Sequence, residues 1–583
     1  MNNRIIKSLM NQFKEKMELK NSLSEESLFE SFSTYCIISK LMDNDFSYDD
    51  IDNMIIDGGN DGGIDTVGFL INGEFINNKQ ELDDILANKN QKLNILMILI
   101  QSKISPKFEG SKMRTFGDGI SDILKEKPSL IQNNELKEKW EMTNEIINNF
   151  SSSVNEFKGR AYYVTTGKWF QEDKNLKSKI SNIKSEIDNL NVFDNFEFKP
   201  IDASQLREYF KESNSKVKKQ INFDKKVVIP DVSGVKDGWL GFLNGKELIK
   251  LIVDDNGDLR RSLFYDNVRD FQGETKTNNA IKETINSDNP EDMSILNNGI
   301  TIVADNAKTV RSDLVLENYQ IVNGCQTSYV MYQNRDKINE NSNIYVPVKI
   351  IVPTSPSIST KITISNNRQT AVKEESLLAL TEVQKELESY FNTFKDDKNK
   401  RLFYERRSNQ YNSSEGLEKV RIVPMAIALR SYSSMFLGIP HYASRYYGRL
   451  YKDFSEKVFD IKNPKIAFYT SSYALYKYNF YIRNSIFERK YAKFKYFILF
   501  MINFYITGNI KKPSSSKETE RECNKINKIL WDNERCKNLM QKMIDIIDKV
   551  AGSNINSNEL TSKKYFSDDL IEEIKKVKEK QHN

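Results

Sequence analysis

The stretch LNILMILIQSK, residues 93–103, decides the fold. Six consecutive apolar residues, Ile95 to Ile100, run into Gln101, Ser102 and Lys103. An unbroken run of this kind predicts a central strand covered on both faces, and so a sheet with helices on each side. Its end is out of character. A lysine at the tip of a buried strand is costly alone, so an anion is expected beside it, either a carboxylate of the chain or a phosphate. Gln101 and Lys103 are two residues apart and project on one face of the strand.

Outward from that strand the pattern alternates. Upstream, the turn DGGNDGGID at 57–65 leads into a strand over 66–71, and residues 24–42 have helical spacing with Ser24 as N-cap. Asn72-Gly73 is a turn that opens a polar excursion. Downstream come helical sequence at 116–150, a strand at 160–166, a helix at 172–189, a strand at 195–201 and a helix at 203–212. This alternation predicts an α/β domain over 1–212. Polar residues 213–226 read as a linker. A central mixed α/β module follows at 228–380, with strands at 300–304, 319–322 and 345–352, and a largely helical region occupies 381–583. The fold class is therefore α/β (α+β) in three parts.

Composition excludes several chemistries. The 583 residues contain two histidines, His441 and His582, and four scattered cysteines, Cys36, Cys325, Cys523 and Cys536. Histidine-pair nucleases and zinc sites lack their ligands, and a reducing cytoplasmic setting suits the cysteines. No apolar run approaches the ~20 residues of a bilayer span, so no membrane partner is expected. The nearest thing to a phosphate loop, GWLGFLNGKE at 238–247, has the wrong glycine spacing and Glu247 in the magnesium-holding position. It reads as a turn before a helix. The net charge of +5 leaves any phosphate-binding surface to local clustering. Hydrolysis by this chain would fall to carboxylates and lysine.

Metal-dependent phosphodiester cleavage requires hard oxygen ligands for the cation and a positive group near the attacking water. Asp65, entering its strand from a Gly-rich turn, can present a carboxylate at the sheet edge. Lys103 supplies the positive group, and the Ser102 carbonyl is a further oxygen ligand. At these residues, GGID at 62–65 and QSK at 101–103, the chain resembles the PD-(D/E)XK nuclease superfamily in its restriction-type, Mrr-like branch, where Q-x-K replaces (D/E)-x-K. The resemblance covers about residues 20–212. It implies a restriction-endonuclease-like α/β sandwich, an insertion from Asn72 to Asn94, and catalytic residues Asp65, Gln101, Lys103 and Glu30. Mg²⁺ or Mn²⁺ would be held by Asp65, Glu30 and the Ser102 carbonyl, with Asp57 or Asp61 as alternatives to Glu30.

The central region interrupts apolar strands with polar clusters: FYDNVRDFQG at 264–273, ILNNGITIV at 295–303, YQIVNGCQTSYVMY at 319–332 and ISNNRQTAV at 364–372. Single Asn-Gly pairs are turns, but repeated clusters of this type suggest a shared polar cleft. Together they resemble the AIPR family, associated with abortive infection and phage resistance, over about 228–540. The contacts expected with a ligand are Arg269, Asn297, Asn298, Asn323, Gln326, Asn367, Arg368 and Gln369, with Arg406 and Arg407 as phosphate clamps. QIVNGCQT also resembles, more distantly, the strand-turn-helix of ParB-like and DGQHR proteins, although Gln326 and Thr327 stand where the latter have His and Arg. Aromatic and basic residues interleave at 444–454 and 487–500, a pattern that suits a helical core with partial DNA contact.

The resulting expectation is a cytoplasmic defence effector. It would be an Mg²⁺-dependent DNA endonuclease, joined to a module that recognises DNA, a nucleotide or a phage-derived trigger. A pairing of two such sites in a homodimer would cut both strands. The rival expectation is a non-catalytic nucleic-acid-binding sensor built on a degenerate nuclease fold.

Overall fold

The computed structural model describes residues 3–20, 23–42, 46–56, 58–87, 92–150, 153–214, 217–254, 257, 259–264, 276–339, 342–367, 378, 381–406, 410–411, 417–445, 447–510, 513, 517–556 and 558–582. Asp57, Arg269, Arg368, Gln369 and Arg407 lie outside the described residues, as does the side chain of Asn367.

The apolar run is a central strand, as its composition requires. Leu93–Lys103 is β3 of a five-stranded sheet ordered β2-β1-β3-β4-β5. Its partners are β1 (Thr66–Ile71), β2 (Glu74–Ile76), β4 (Val154–Thr165) and β5 (Asn195–Ile201). β1 is antiparallel to β3, whereas β4 and β5 run parallel to it. The carboxyl ends of β3, β4 and β5 and the start of β1 therefore share one edge. Alternate residues of β3 feed two cores. Met97 and Leu99 join Met113, Phe116 and Ile120 of α5 (Gly110–Ile123). Ile98 and Ile100 join Phe29 and Phe32 of α2 (Glu25–Met42) and Phe13 of α1 (Arg4–Lys16). The polar excursion after Asn72 contains β2 and α4 (Lys79–Leu86), and the helical stretch at 116–150 divides into α5 and α6 (Asn134–Asn148). α3 (Tyr48–Met54), α7 (Lys174–Asp188) and α8 (Ala203–Glu212) complete this part.

The segment expected to be a linker is not one. Lys218–Asn222 forms β6, whose Ile221 is fully buried opposite Leu314. β6 joins a six-stranded sheet ordered β6-β10-β9-β11-β8-β7. The other strands are β7 (Lys226–Val228), β8 (Val235–Asn244), β9 (Ile300–Val310), β10 (Asp313–Asn323) and β11 (Tyr345–Pro353). One buried isoleucine among Lys and Asn gave no alternating signal, because an edge strand keeps only one residue in the core. The stretch from Gly238 is likewise strand rather than turn, extended through Asn244 before the helix α9 (Gly245–Ile252). The helices α10 (Lys276–Ile285), α11 (Met293–Leu296), α12 (Cys325–Gln333) and α13 (Pro356–Asn367) complete the central part.

Beyond a two-stranded parallel ladder of Phe403–Glu405 with Ile422–Pro424, the chain is helical. Helices 425–437, 465–483 and 495–507 form its core, with Phe468, Tyr473, Phe497 and Met501 buried. No helix is long and apolar enough to cross a membrane among the described residues.

Candidate functional site

Asp65 enters β1 from a turn in which Gly62 and Gly63 both have positive φ, 64° and 78°. L side chains avoid that region, so the glycines are what allow the chain to fold back sharply at the sheet edge. Asp61 holds the turn by accepting the Gly63 N–H at 2.7 Å. The outcome is a buried Asp65, 3% exposed, aimed at the end of β3.

There the Gln101 amide donates to Asp65 Oδ1 at 2.6 Å, and the Ser102 backbone N–H donates to Oδ2 at 2.6 Å. Lys103 Nζ stands 3.7 Å from Oδ1. In a strand the N–H and C=O of one residue point the same way. The Ser102 carbonyl therefore faces the same edge as the N–H that reaches Asp65. Burial pushes the Asp65 carboxyl up to about 6, against the opposing pull of Lys103, Ser102 and Gln101, while Asp61 adds to the rise. Tyr163, opposite Gln101 on β4, sits in the same environment. Burial, then the nearby carboxylates of Glu109 and Asp65, raise its phenol. Neither Tyr163 nor Glu109 stood out in the sequence, since a strand tyrosine and a helix-entry glutamate look structural.

The structure thus brings Asp65, Gln101, Ser102 and Lys103 together. Glu30 lies on α2, which packs on the sheet face opposite α5. On that helix Thr34, one turn after Glu30, bonds the hydroxyl of Thr66 at 2.9 Å. Among the described residues no group of three His, Cys, Asp or Glu side chains is placed to hold a metal ion. The arrangement offers one carboxylate, one carbonyl and one lysine. That set fits a single Mg²⁺, which commonly takes one or two carboxylates and fills its other positions with water and substrate phosphate.

The central sheet gathers a second polar group. Asn297 donates to Thr327 Oγ1 at 3.0 Å and accepts the Gly299 N–H. Asn323 pairs with Thr301 across β9 and β10, and Thr301 bonds Asn366 of α13 at 3.2 Å. Gln326 lies in the first turn of α12, and Asn298 is exposed beside Asn297. Three polar clusters thus meet at one sheet edge. Gly324, with φ of 100°, lets β10 turn directly into α12, and a Cβ there would lie 2.6 Å from Ile300. Cys325 is packed in the core at 4% exposure. Arg406 follows the short strand Phe403–Glu405, and its Nε is held by Glu388 at 2.6 Å.

The aromatic side chains of the stretch at 487–500, including Tyr491, Phe494 and Phe497, pack in the helical core, as expected of it. Two of its cations turn to the N-terminal domain: Arg489 meets the Ile55 carbonyl and Glu135, and Lys495 meets Asp49 at 3.2 Å, whereas Lys490 pairs with Glu488 in the same stretch.

A family model described as AIPR protein matches residues 264–559, about half of the 583-residue chain. No curated protein and no solved structure matches it.

Proposed function

For a chain that belongs to the AIPR family, which suggests a role in phage defence, we propose that the N-terminal domain is a metal-dependent nuclease acting on DNA. One observation carries the reading: Asp65, the Ser102 carbonyl and Lys103 converge where β1 begins and β3 ends. A buried carboxylate poised near neutrality, backed by two short hydrogen bonds, is organised for more than stability. Asp65 and the Ser102 carbonyl would hold Mg²⁺, which supplies charge neutralisation and an acidified water. Lys103, 42% exposed, reaches from the strand end toward solvent. There its ammonium can orient the attacking water and offset charge on the scissile phosphate. Gln101 holds Asp65 in place by its 2.6 Å hydrogen bond. The polar edge around Asn297, Asn323 and Gln326 would take the recognition ligand, a nucleotide or a phage-derived trigger.

Gln101 brings no charge, and this favours a rival reading, a nucleic-acid-binding sensor without catalysis. The test is nicking of supercoiled plasmid by wild type and Lys103→Ala in Mg²⁺, Mn²⁺ or EDTA. Metal-dependent nicking by the wild type that falls about 10²–10³-fold in the variant supports the nuclease. Nicking that survives in Lys103→Ala refutes this site. DNA binding with no nicking in either metal supports the sensor.

A further inference from the structure

At the same sheet edge, across β3 from Lys103, lies a cavity of about 820 Å³. Its walls are the start of α1, the loop after β3, the turn after β4 and the start of α8. Ile5, Ile6, Ile104 and Pro106 give it an apolar lining, of which Ile6 is buried and Ile5 and Pro106 are exposed, while Arg4, Lys168 and Arg207 stand exposed at the rim. None of these three cations has an ion-pair partner among the described residues. The lining carboxylate, Asp202, is committed to the Ser204, Gln205 and Trp169 N–H groups. Ile5 is 54% exposed and Phe170, beneath the Lys168 ammonium, is 59% exposed. The chain thus holds apolar and aromatic surface open to solvent beside unneutralised cations. The loop that forms one wall is the continuation of Lys103. It is pinned by Thr166, which donates to the Ser105 carbonyl at 3.0 Å, and by Gly167, where a Cβ would lie 2.4 Å from the Pro106 carbonyl oxygen.

We propose that this cavity seats an unpaired nucleotide of the strand being cut, base against the isoleucine lining, phosphates on Arg4, Lys168 and Arg207, with Phe170, outside the lining under Lys168, open to a neighbouring base. The identification rests on the nuclease reading for its neighbour, but the chemistry of the cavity is its own. An apolar recess with room for a nucleotide, edged by exposed cations, fits a base joined to phosphates. Ligands of open α/β sheets commonly bind outside the carboxyl ends of the strands. Exposed apolar and aromatic side chains stack on base faces that are free of a duplex, so the site selects single strands, frayed ends or distorted duplex.

The experiment is fluorescence anisotropy of full-length protein with a labelled oligothymidylate and with a blunt duplex of equal length, in EDTA so that no cleavage occurs. Wild type is expected to prefer the single strand. Lys168→Glu and Arg207→Glu should each weaken it and lower the slope of log affinity against log salt by about 0.7 for every phosphate left without its cation. Phe170→Ala should cost about fivefold or more. Ile5→Asp, at an exposed position, should abolish the single-strand preference without unfolding the chain. Equal binding of duplex and single strand, or affinities unchanged in all four cavity variants, would overturn the proposal, and so would no binding at all. Binding that depends on the cavity in a protein that nicks nothing would sink the nuclease reading and leave the cavity standing.

Discussion

The two sheets of this molecule are tethered very differently. The N-terminal sheet is gripped by the C-terminal helices through ion pairs of one polarity. Glu18 meets Arg421 at 2.7 Å, Glu81 meets Arg430 at 3.0 Å, and Asp49 meets Lys495 at 3.2 Å. In each case the N-terminal domain brings the acid and the C-terminal part brings the base. The central sheet has a slighter attachment, in which Lys40 of α2 reaches Asp254 at 2.7 Å. The matched family segment begins at Phe264, after β6, β7 and β8, so it takes three strands of the central sheet and all the helices that hold the first domain. The family segment therefore clamps the first domain. Arg489 shows the consequence: it bonds the Ile55 carbonyl, and the next residue, Ile56, donates its N–H to the Asp65 carbonyl at 2.8 Å. The helices thus lie two hydrogen bonds from the candidate site.

The sharpest way to break this contrast is Glu81→Ala. Glu81 is 3% exposed, bonds Arg430 and accepts the Asn77 N–H at 2.9 Å. Removing it strands a buried guanidinium, an error worth about 3–5 kcal/mol. Urea unfolding should show the N-terminal domain loosening first. If the central sheet melts before it, the clamp is misassigned.

What the sequence shows and what it hides follow the same division. β3, β1 and β5 were legible because buried strands impose apolar runs and Gly-Asp turns punctuate them. Asp65 and Lys103 were legible because charge at the end of such a run requires a partner. The grip was hidden. Arg430, Arg489 and Lys495 look like ordinary solvated cations in one dimension, and their acids are remote in the chain, as the 349-residue separation of Arg430 from Glu81 illustrates. The cavity was hidden for a related reason: its lining comes from four separate segments, none of which carries a motif. β6 escaped because an edge strand with one buried residue resembles a linker.

A second test compares the site's electrostatics with its role as packing. Asp65 has its carboxyl raised from 3.8 to about 6. A folded value above the unfolded one means the folded state binds the proton more tightly. Its contribution to stability is present in full below about pH 4 and is lost as pH rises through 6. The shift corresponds to about 3 kcal/mol. The stability difference between wild type and Asp65→Asn, followed by urea titration at pH 4 and pH 8 without metal, should change by about that amount in favour of the variant at pH 8. A difference independent of pH would mean that Asp65 is solvated and that the site is not closed as described.

The smallest effect probes whether the N-terminal edge is a metal site at all. Gln101→Glu restores the second acidic residue of the nuclease pattern. It also turns the donor that meets Asp65 at 2.6 Å into a second carboxylate. Without metal, two buried acceptors face each other, at a cost of about 1–3 kcal/mol. A divalent cation between them would reverse that sign. Thermal unfolding should therefore find the variant less stable than wild type in EDTA and recovering most of the loss in Mg²⁺, with a smaller Mg²⁺ response in the wild type. The same substitution logic applied to the central edge, where Asn297 already has Thr327 as partner, predicts no metal response. If Gln101→Glu stays unstable in Mg²⁺, the two edges are alike in being hydrogen-bonded turns, and cleavage by this fold would have to be sought elsewhere.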